Sequence, residues 1–265
     1  MIYLLLVLIA IYLYLILPTI NRVDFTPFMN IDYAHRGLHD NQSSAPENSL
    51  SAIREAVNKC YGIEFDVQLS RDKNAVVFHD FCLDRACNID KRVDECDYDD
   101  LKTRKLFNSE EGIPLLSDVL NTVNGKVPLI VELKASDNHV SILCENVAKQ
   151  LDEYTGLFVV ESFNPFVVKW FRDNRPDYIR GQLSGNFNGD PSIVKLGLKY
   201  LLFNAMSRPD FIAYNHNYKN NISLRIIKSL FKIPLVAYTV KHQKSYNENS
   251  GFFDLIIFEG FIPKN

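Results

Sequence analysis

No charged side chain precedes Arg22 in this chain of 265 residues. Net charge is also scarce: 29 Lys and Arg against 32 Asp and Glu leave a formal −3. That balance excludes a nucleic-acid partner drawn in by a basic field. The five cysteines (Cys60, Cys82, Cys87, Cys96, Cys144) contain no C-x-x-C pair, so zinc spacing is absent. Their odd number excludes complete pairing within one chain and agrees with a reducing compartment. Eleven Gly and eleven Pro are ordinary, so collagen-like and low-complexity architectures are excluded. At 47% hydrophobic residues, a disordered chain is excluded as well.

What stands in place of the missing charge is an apolar run. Met1 to Leu17 reads MIYLLLVLIAIYLYLIL, and Pro18 follows. As a helix it is about 25 Å long at 1.5 Å per residue. Extended to Ile20 it reaches roughly the 30 Å of a bilayer core. A cleaved signal wants basic residues before the run and small residues at the cut, and Pro18-Thr19-Ile20-Asn21 offers neither. A buried core helix shows a polar stripe, and only Tyr3, Tyr12 and Tyr14 interrupt this one. The run predicts a single-pass membrane anchor over 1–20, with a linker over 21–30. Arg22 follows the span and no basic residue precedes it, so the positive-inside rule places the rest in the cytoplasm.

Beyond the linker, apolar β-rich runs alternate with amphipathic stretches. Predicted strands are Asp32–Ala34, Gly62–Leu69, Ala75–Phe78, Val127–Leu133, Leu157–Glu161, Ile179–Gly181, Tyr200–Phe203, Phe211–Tyr214, Leu235–Thr239 and Leu255–Phe258. Near-continuous Val/Ile/Leu/Phe runs suit strands buried on both faces of a parallel sheet. Predicted helices are Glu47–Lys59, Ser117–Asn124, Asn138–Tyr154, Pro165–Asn174, Ser192–Leu196, Ile222–Phe231 and Gln243–Glu248. Asn164-Pro165 supplies an N-cap followed by Pro at the first helical position. This rhythm predicts an α/β fold, a TIM (β/α)8 barrel over 31–265, with a doubly wound open sheet as its rival. The polar stretch 82–112 breaks the rhythm and reads as an insertion after the second strand, near the active face.

Chemistry-bearing residues gather at predicted strand ends: His35-Arg36-Gly37, Glu64-Phe65-Asp66, His79-Asp80 and Glu132-Leu133-Lys134. Glu64 and Asp66 are two apart, so their carboxylates share one side of a strand, and Glu132 and Lys134 share the same relation. Buried carboxylates without partners are costly, and a hard divalent cation held by all three removes that cost. Two histidines can move protons while Arg and Lys hold phosphate oxygens.

These residues resemble the glycerophosphodiester phosphodiesterase family. Its H-R-G and P-E-N-T patterns match His35-Arg36-Gly37 and Pro46-Glu47-Asn48-Ser49. Its E-x-D matches Glu64-Phe65-Asp66, and its H-D-x-x-L-x-R matches the stretch from His79 to Arg85. I-P-x-L, E-x-K and S-F-[ND] match Ile113 to Leu116, Glu132 to Lys134, and Ser162 to Asn164. The match runs in order from about residue 31 to the C-terminus. The resemblance implies a TIM barrel with an insertion at 82–112, and one divalent cation, Mg²⁺ or Ca²⁺, on Glu64, Asp66 and Glu132. It implies His35 and His79 as general acid and base, Arg36 and Lys134 on the phosphate, and Phe163 and Tyr238 beside the substrate. Two departures stand out. The family's W-T-V-N is Tyr238-Thr239-Val240-Lys241 here, and the C-terminal rim reads Ile257-Phe258-Glu259-Gly260-Phe261-Ile262-Pro263.

The resemblance implies metal-dependent hydrolysis of small-molecule glycerophosphodiesters to glycerol 3-phosphate and an alcohol. A membrane anchor would instead favour lysophospholipase D action on membrane lipid. A tethered binding barrel without turnover is the non-enzymatic alternative.

Overall fold

The computed structural model describes residues 1–20, 23–135, 139–187 and 192–264. Eight parallel strands close a barrel: β1 Tyr33–His35, β2 Gly62–Leu69, β4 Leu129–Leu133, β5 Phe158–Ser162, β6 Arg180–Ser184, β7 Phe211–Asn215, β8 Leu235–Val240 and β9 Leu255–Phe258. β1 pairs in parallel with both β2 and β9, so the sheet has no open edge and the doubly wound alternative is excluded. The short β3, Ala75–Val77, is antiparallel to the end of β2 and lies outside the parallel set.

Helices α2 (Leu50–Asn58), α5 (Leu116–Val123), α6 (Val140–Asp152), α7 (Pro165–Asn174), α10 (Ile222–Ile226) and α11 (Gln243–Asn249) accompany the strands. Ser49 caps α2 by accepting from the Ala52 N–H, so the helix starts three residues later than the sequence predicts. The predicted start of α6 at Asn138 lies outside the described residues. After β6 the helical layer is broken into α8 (Ile193–Lys199) and the single turn α9 (Asn204–Ser207).

Strand periodicity sorts the interior. On β2 the residues alternate between an outward set, Ile63, Phe65 and Val67, and an inward set, Gly62, Glu64 and Asp66. The lower interior is apolar, built from Tyr33, Ile130, Val159, Phe211, Val236 and Ile257. Gly62 is required there, because a Cβ would stand 2.6 Å from the Tyr33 ring. Phe25 and Phe28 plug the floor, and the Tyr33 hydroxyl donates to the Phe28 carbonyl at 3.0 Å. Within the stretch predicted as a linker over 21–30, Phe25 and Phe28 are buried, while Asp24, Thr26, Pro27 and Asn30 are exposed.

The stretch after β3 carries α3 (Asp84–Cys87) and α4 (Tyr98–Leu101). It is more than a solvated loop: Leu83, Val93, Leu101, Leu106 and Ile113 pack with Val76 and Phe78 into a small core of their own.

Two expectations are corrected. The predicted strand Tyr200–Phe203 is a turn leading into α9, with Leu201 in left-handed backbone. A four-residue apolar run cannot separate strand from buried turn by pattern alone. The predicted transmembrane anchor over 1–20 is a helix, α1, of only 14 residues, Ile2–Leu15. That is about 21 Å, and no helix among the described residues is long and apolar enough to cross a membrane. The helix stops early because Ile16 and Pro18 turn in and are buried against the barrel. Arg22, on which the cytoplasmic placement rested, lies outside the described residues.

Candidate active site

Every predicted catalytic and metal residue arrives at the C-terminal rim of the barrel. β1 ends at His35, and Arg36 and Gly37 then turn with positive φ, 55° and 80°. Glycine is needed at 37, since a Cβ would approach the Ala52 carbonyl carbon to 2.8 Å. The turn points the Arg36 N–H at Glu64 Oε2, 3.2 Å away. It also lets the Arg36 carbonyl accept from the Asn48 N–H at 2.9 Å, tying β1 to the loop before α2.

Parallel pairing sets Asp66 beside Glu132, and Glu132 beside Glu161. Ligand oxygens of Glu64, Asp66 and Glu132 lie within 4.8 Å of one another. All three residues are buried, and Asp66 is 1% exposed. Asp66 Oδ2 accepts from Asn48 Nδ2 at 2.9 Å and faces Arg36 Nε at 3.3 Å. Lys134 Nζ lies 3.1 Å from Glu132 Oε1 and 3.4 Å from Asp66 Oδ1. Asp66 Oδ1 nevertheless has no hydrogen bond.

Burial acts on each carboxylate differently. It pushes Glu64 well up, reinforced by the charges of Asp66 and Glu132. Glu132 is raised by burial, against the pull of Lys134. Asp66 meets the same burial, but Lys134 and Arg36 outweigh it and hold its carboxyl low. Three clustered carboxylates with hard oxygen donors and one orphaned oxygen fit a divalent cation.

The histidines flank this group. His35 Nδ1 lies 2.6 Å from Glu259 Oε2, and its Nε2 lies 3.8 Å from Glu64 Oε2. His79, just after β3, sets Nδ1 2.5 Å from Asp80 Oδ1. Each ring therefore has one nitrogen held by a carboxylate, which orients the other. Burial pushes both histidines below their ordinary value, with carboxylate neighbours opposing it.

A second layer steadies the first. Arg85 Nη2 reaches Glu47 Oε1 at 2.6 Å and its Nε reaches Asp80 Oδ2 at 2.5 Å. Glu47 Oε1 also accepts from Arg36 Nη1 at 2.7 Å. A continuous charged chain thus joins His79, Asp80, Arg85, Glu47 and Arg36. Burial raises Glu47, but Arg85 and Arg36 bring its carboxyl down to about 2.

The aromatic side of the mouth is formed by Phe163 and Tyr238, edge to face at 6.0 Å between ring centres. The Tyr238 hydroxyl donates to the Ser184 carbonyl at 2.5 Å, so it is tied to the barrel wall. Four residues lay outside the predicted site. Glu47 and Arg85 were present only as letters of motifs. Glu259 lay in the departing C-terminal rim. Glu161 is 2% exposed, and its Oε2 has no hydrogen bond. A carboxylate inside the apolar strand Phe158–Ser162 was its signal. His39 stands with His35 and Glu259 as a further group of potential ligands.

Among curated relatives, a glycerophosphodiester phosphodiesterase of Bacillus altitudinis is 34% identical over 131 residues, covering 46% of this chain and 52% of the relative. One from Caldanaerobacter subterraneus is 30% identical over 146 residues, 51% of this chain and 59% of the relative. The chain thus spans between half and three-fifths of the length of these two relatives. Among solved structures, an Oleispira antarctica phosphodiesterase in complex with the product sn-glycerol-3-phosphate superposes with TM-score 0.71. It is 20% identical, covering 87% of this chain and 93% of that one. A Parabacteroides distasonis glycerophosphodiester phosphodiesterase gives TM-score 0.68 at 24% identity, with the same shares of 87% and 93%. At these identities the superpositions speak for the fold. A family model matches residues 35–256, from the first histidine at the rim into the last barrel strand, which takes in Glu64, Asp66, His79, Glu132 and Lys134 but stops short of Glu259. By that match, the chain belongs to the glycerophosphoryl diester phosphodiesterase family.

Proposed function

We propose that this barrel hydrolyses glycerophosphodiesters to glycerol 3-phosphate and an alcohol, with one divalent cation at the rim. The observation that carries the reading is the buried Glu64, Asp66 and Glu132 group between two carboxylate-held histidines. Those three side chains would hold Mg²⁺ or Ca²⁺. When bound, the cation supplies Lewis-acid polarisation of an oxygen and offsets phosphate charge. Arg36 and Lys134 bind phosphate oxygens, and their carboxylate partners keep both side chains aimed into the mouth.

The histidines move protons. With Nδ1–H donated to Glu259 or Asp80, each ring leaves Nε2 to exchange the proton, bare in the base and protonated in the acid. One takes the proton of the substrate's own 2-hydroxyl as it attacks phosphorus. The other, protonated, gives a proton to the departing alcohol. Water then opens the cyclic phosphate with the same two groups in exchanged roles. Phe163 and the Tyr238 ring face present an apolar wall to the glycerol carbons.

A second reading, lysophospholipase D action, draws on the exposed apolar surface of α1. A binding barrel without turnover is the third. One assay separates all three: glycerol 3-phosphate release from glycerophosphocholine and lysophosphatidic acid release from lysophosphatidylcholine, with and without EDTA. The proposal expects the first product, and its loss in EDTA. Product formation that survives EDTA overturns the metal role. Turnover of lysophosphatidylcholine alone favours the second reading, and cation binding without any product favours the third.

A further inference from the structure

Beside the three carboxylates at the rim stands a second group of donors with a different chemistry. A ring nitrogen of His35, one of His39 and a carboxylate oxygen of Glu259 lie within 4.8 Å of one another. The backbone fixes all three. The left-handed turn at Arg36 and Gly37 folds the chain back after β1, which brings His39 over His35. The loop is pinned on both sides of His39. The Leu38 N–H donates to the Ala52 carbonyl at 3.0 Å, and the Asp40 N–H to the Ala45 carbonyl at 2.9 Å. Glu259 follows β9, the strand that pairs with β1, and its N–H donates to the Val240 carbonyl at 2.9 Å.

His35 moves a proton in the proposed reaction and Glu259 holds it, but His39 has no task there. Both ring nitrogens of His39 are buried, and neither has a hydrogen bond among the described residues. An unpaired buried polar atom costs about 1–3 kcal/mol, which a ligand on that atom would offset. Burial pushes His39 below its ordinary value, with Glu47 and Glu259 opposing it. A neutral ring always keeps one bare nitrogen. Glu259 is oriented as a ligating carboxylate is. Its Oε1 accepts from Lys241 Nζ at 2.9 Å, and its Oε2 lies 2.6 Å from His35 Nδ1. His39 and Glu259 also line a cavity of about 730 Å³, together with Asp40 and Glu55. An ion thus has a path from solvent between acidic walls.

We propose that His35, His39 and Glu259 form a second cation site, suited to Zn²⁺ and separate from the Glu64, Asp66 and Glu132 group, whose occupation inhibits the enzyme. Two imidazoles and one carboxylate are a donor set for borderline transition metals. Mg²⁺ and Ca²⁺ prefer oxygen donors and belong on the three carboxylates. Zinc takes the place of the proton that His35 Nδ1 shares with Glu259. A neutral His35 bound through Nδ1 carries its one proton on Nε2. It can then accept no proton there, and releasing the one it has would leave an imidazolate. His35 is therefore lost as either base or acid. The inhibition rests on the proposed reaction, whereas the binding does not.

The test is isothermal titration calorimetry of the full chain with Zn²⁺ in excess Mg²⁺. One equivalent should bind, and raising Mg²⁺ further should leave its Kd unchanged. Co²⁺ in place of Zn²⁺ should show d–d absorption without sulfur charge transfer, which separates this site from the free cysteines. His39→Ala and Glu259→Gln should each weaken Zn²⁺ binding at least about tenfold, with near-UV circular dichroism reporting that each variant is folded. In the Mg²⁺-loaded enzyme, saturating Zn²⁺ should slow glycerol 3-phosphate release at least about 100-fold. The inhibiting concentration should rise in His39→Ala by the same factor as its Kd, each variant being compared with its own zinc-free rate. Zinc that Mg²⁺ competes away belongs to the three carboxylates, and sulfur charge transfer assigns it to cysteine. Either result overturns the proposal. So does a folded His39→Ala that binds Zn²⁺ as tightly as the original chain, or full turnover with zinc bound. A chain that binds Zn²⁺ here yet hydrolyses no glycerophosphodiester would refute the proposed reaction and leave the site standing.

Discussion

At the residue scale, the site depends on carboxylates that do different work from one environment to the next. Glu259 and Asp80 hold histidines, Glu47 holds arginines, and Glu64, Asp66 and Glu132 converge on a single point. If the histidines are the acid and base, His35→Ala and His79→Ala should each lower kcat at least about 100-fold with the fold intact. Near-normal turnover in either variant, measured by glycerol 3-phosphate release, would remove that histidine from the mechanism. Glu47 touches no substrate on this account, yet among the described residues it is the only carboxylate shared by Arg36 and Arg85. Glu47→Gln removes its charge and leaves both guanidinium groups less firmly held. Steady-state kinetics should then show kcat about ten- to a hundredfold lower, because a displacement near 1 Å at the phosphate is enough for that. An unchanged kcat would mean that Arg36 is positioned by Asp66 and its own backbone turn.

At the element scale, what the sequence displays is the strand and what it hides is the partner of each loop. The alternation Glu64-Phe65-Asp66 and Glu132-Leu133-Lys134 places four candidate site side chains inward, and the structure brings all four together at the rim. The Glu259 contact with His35 spans 224 positions of sequence, so no local pattern announces it. It exists only because β9 closes on β1. The break in the helical layer after β6 was equally hidden, because Tyr200 to Phe203 is apolar enough to pass for a strand. The insertion was legible as an interruption but not as a folded unit, since its small core draws on scattered single residues. That core has a functional neighbour: α3 carries Arg85, the partner of Asp80 and Glu47. Leu101, fully buried in it, can therefore be tested at a distance from the chemistry. Leu101→Ala should cost about 2–5 kcal/mol, seen as a lower melting temperature. It should also lower kcat, because Arg85 and His79 lose their footing. Loss of stability with kcat unchanged would show that the insertion packs independently of the site.

At the scale of the whole molecule, the buried acids make stability depend on pH in two opposed ways. Glu47 has its carboxyl held down to about 2, so its contribution is present above the ordinary glutamate value near 4.5 and fades as pH falls toward 2. Glu64, Glu132 and Glu161 are raised, first by burial. The folded state without a cation therefore favours their protonated forms. Their contribution is complete below the ordinary value and is lost as pH rises through their elevated values. A divalent cation acts on this second group by taking the place of the protons. Thermal unfolding in EDTA should thus show a melting temperature that declines from mildly acidic to mildly alkaline pH. Excess Mg²⁺ or Ca²⁺ should oppose the decline, and the gain should widen as pH rises. At a hundredfold excess over Kd, binding adds about 2.7 kcal/mol, or roughly 5–10 °C for a domain of this size. A gain independent of pH would mean that the cation binds away from the raised carboxylates. No gain at any pH would leave Glu64, Asp66 and Glu132 as a cluster balanced by Arg36 and Lys134 alone, and the cation would drop out of the reaction.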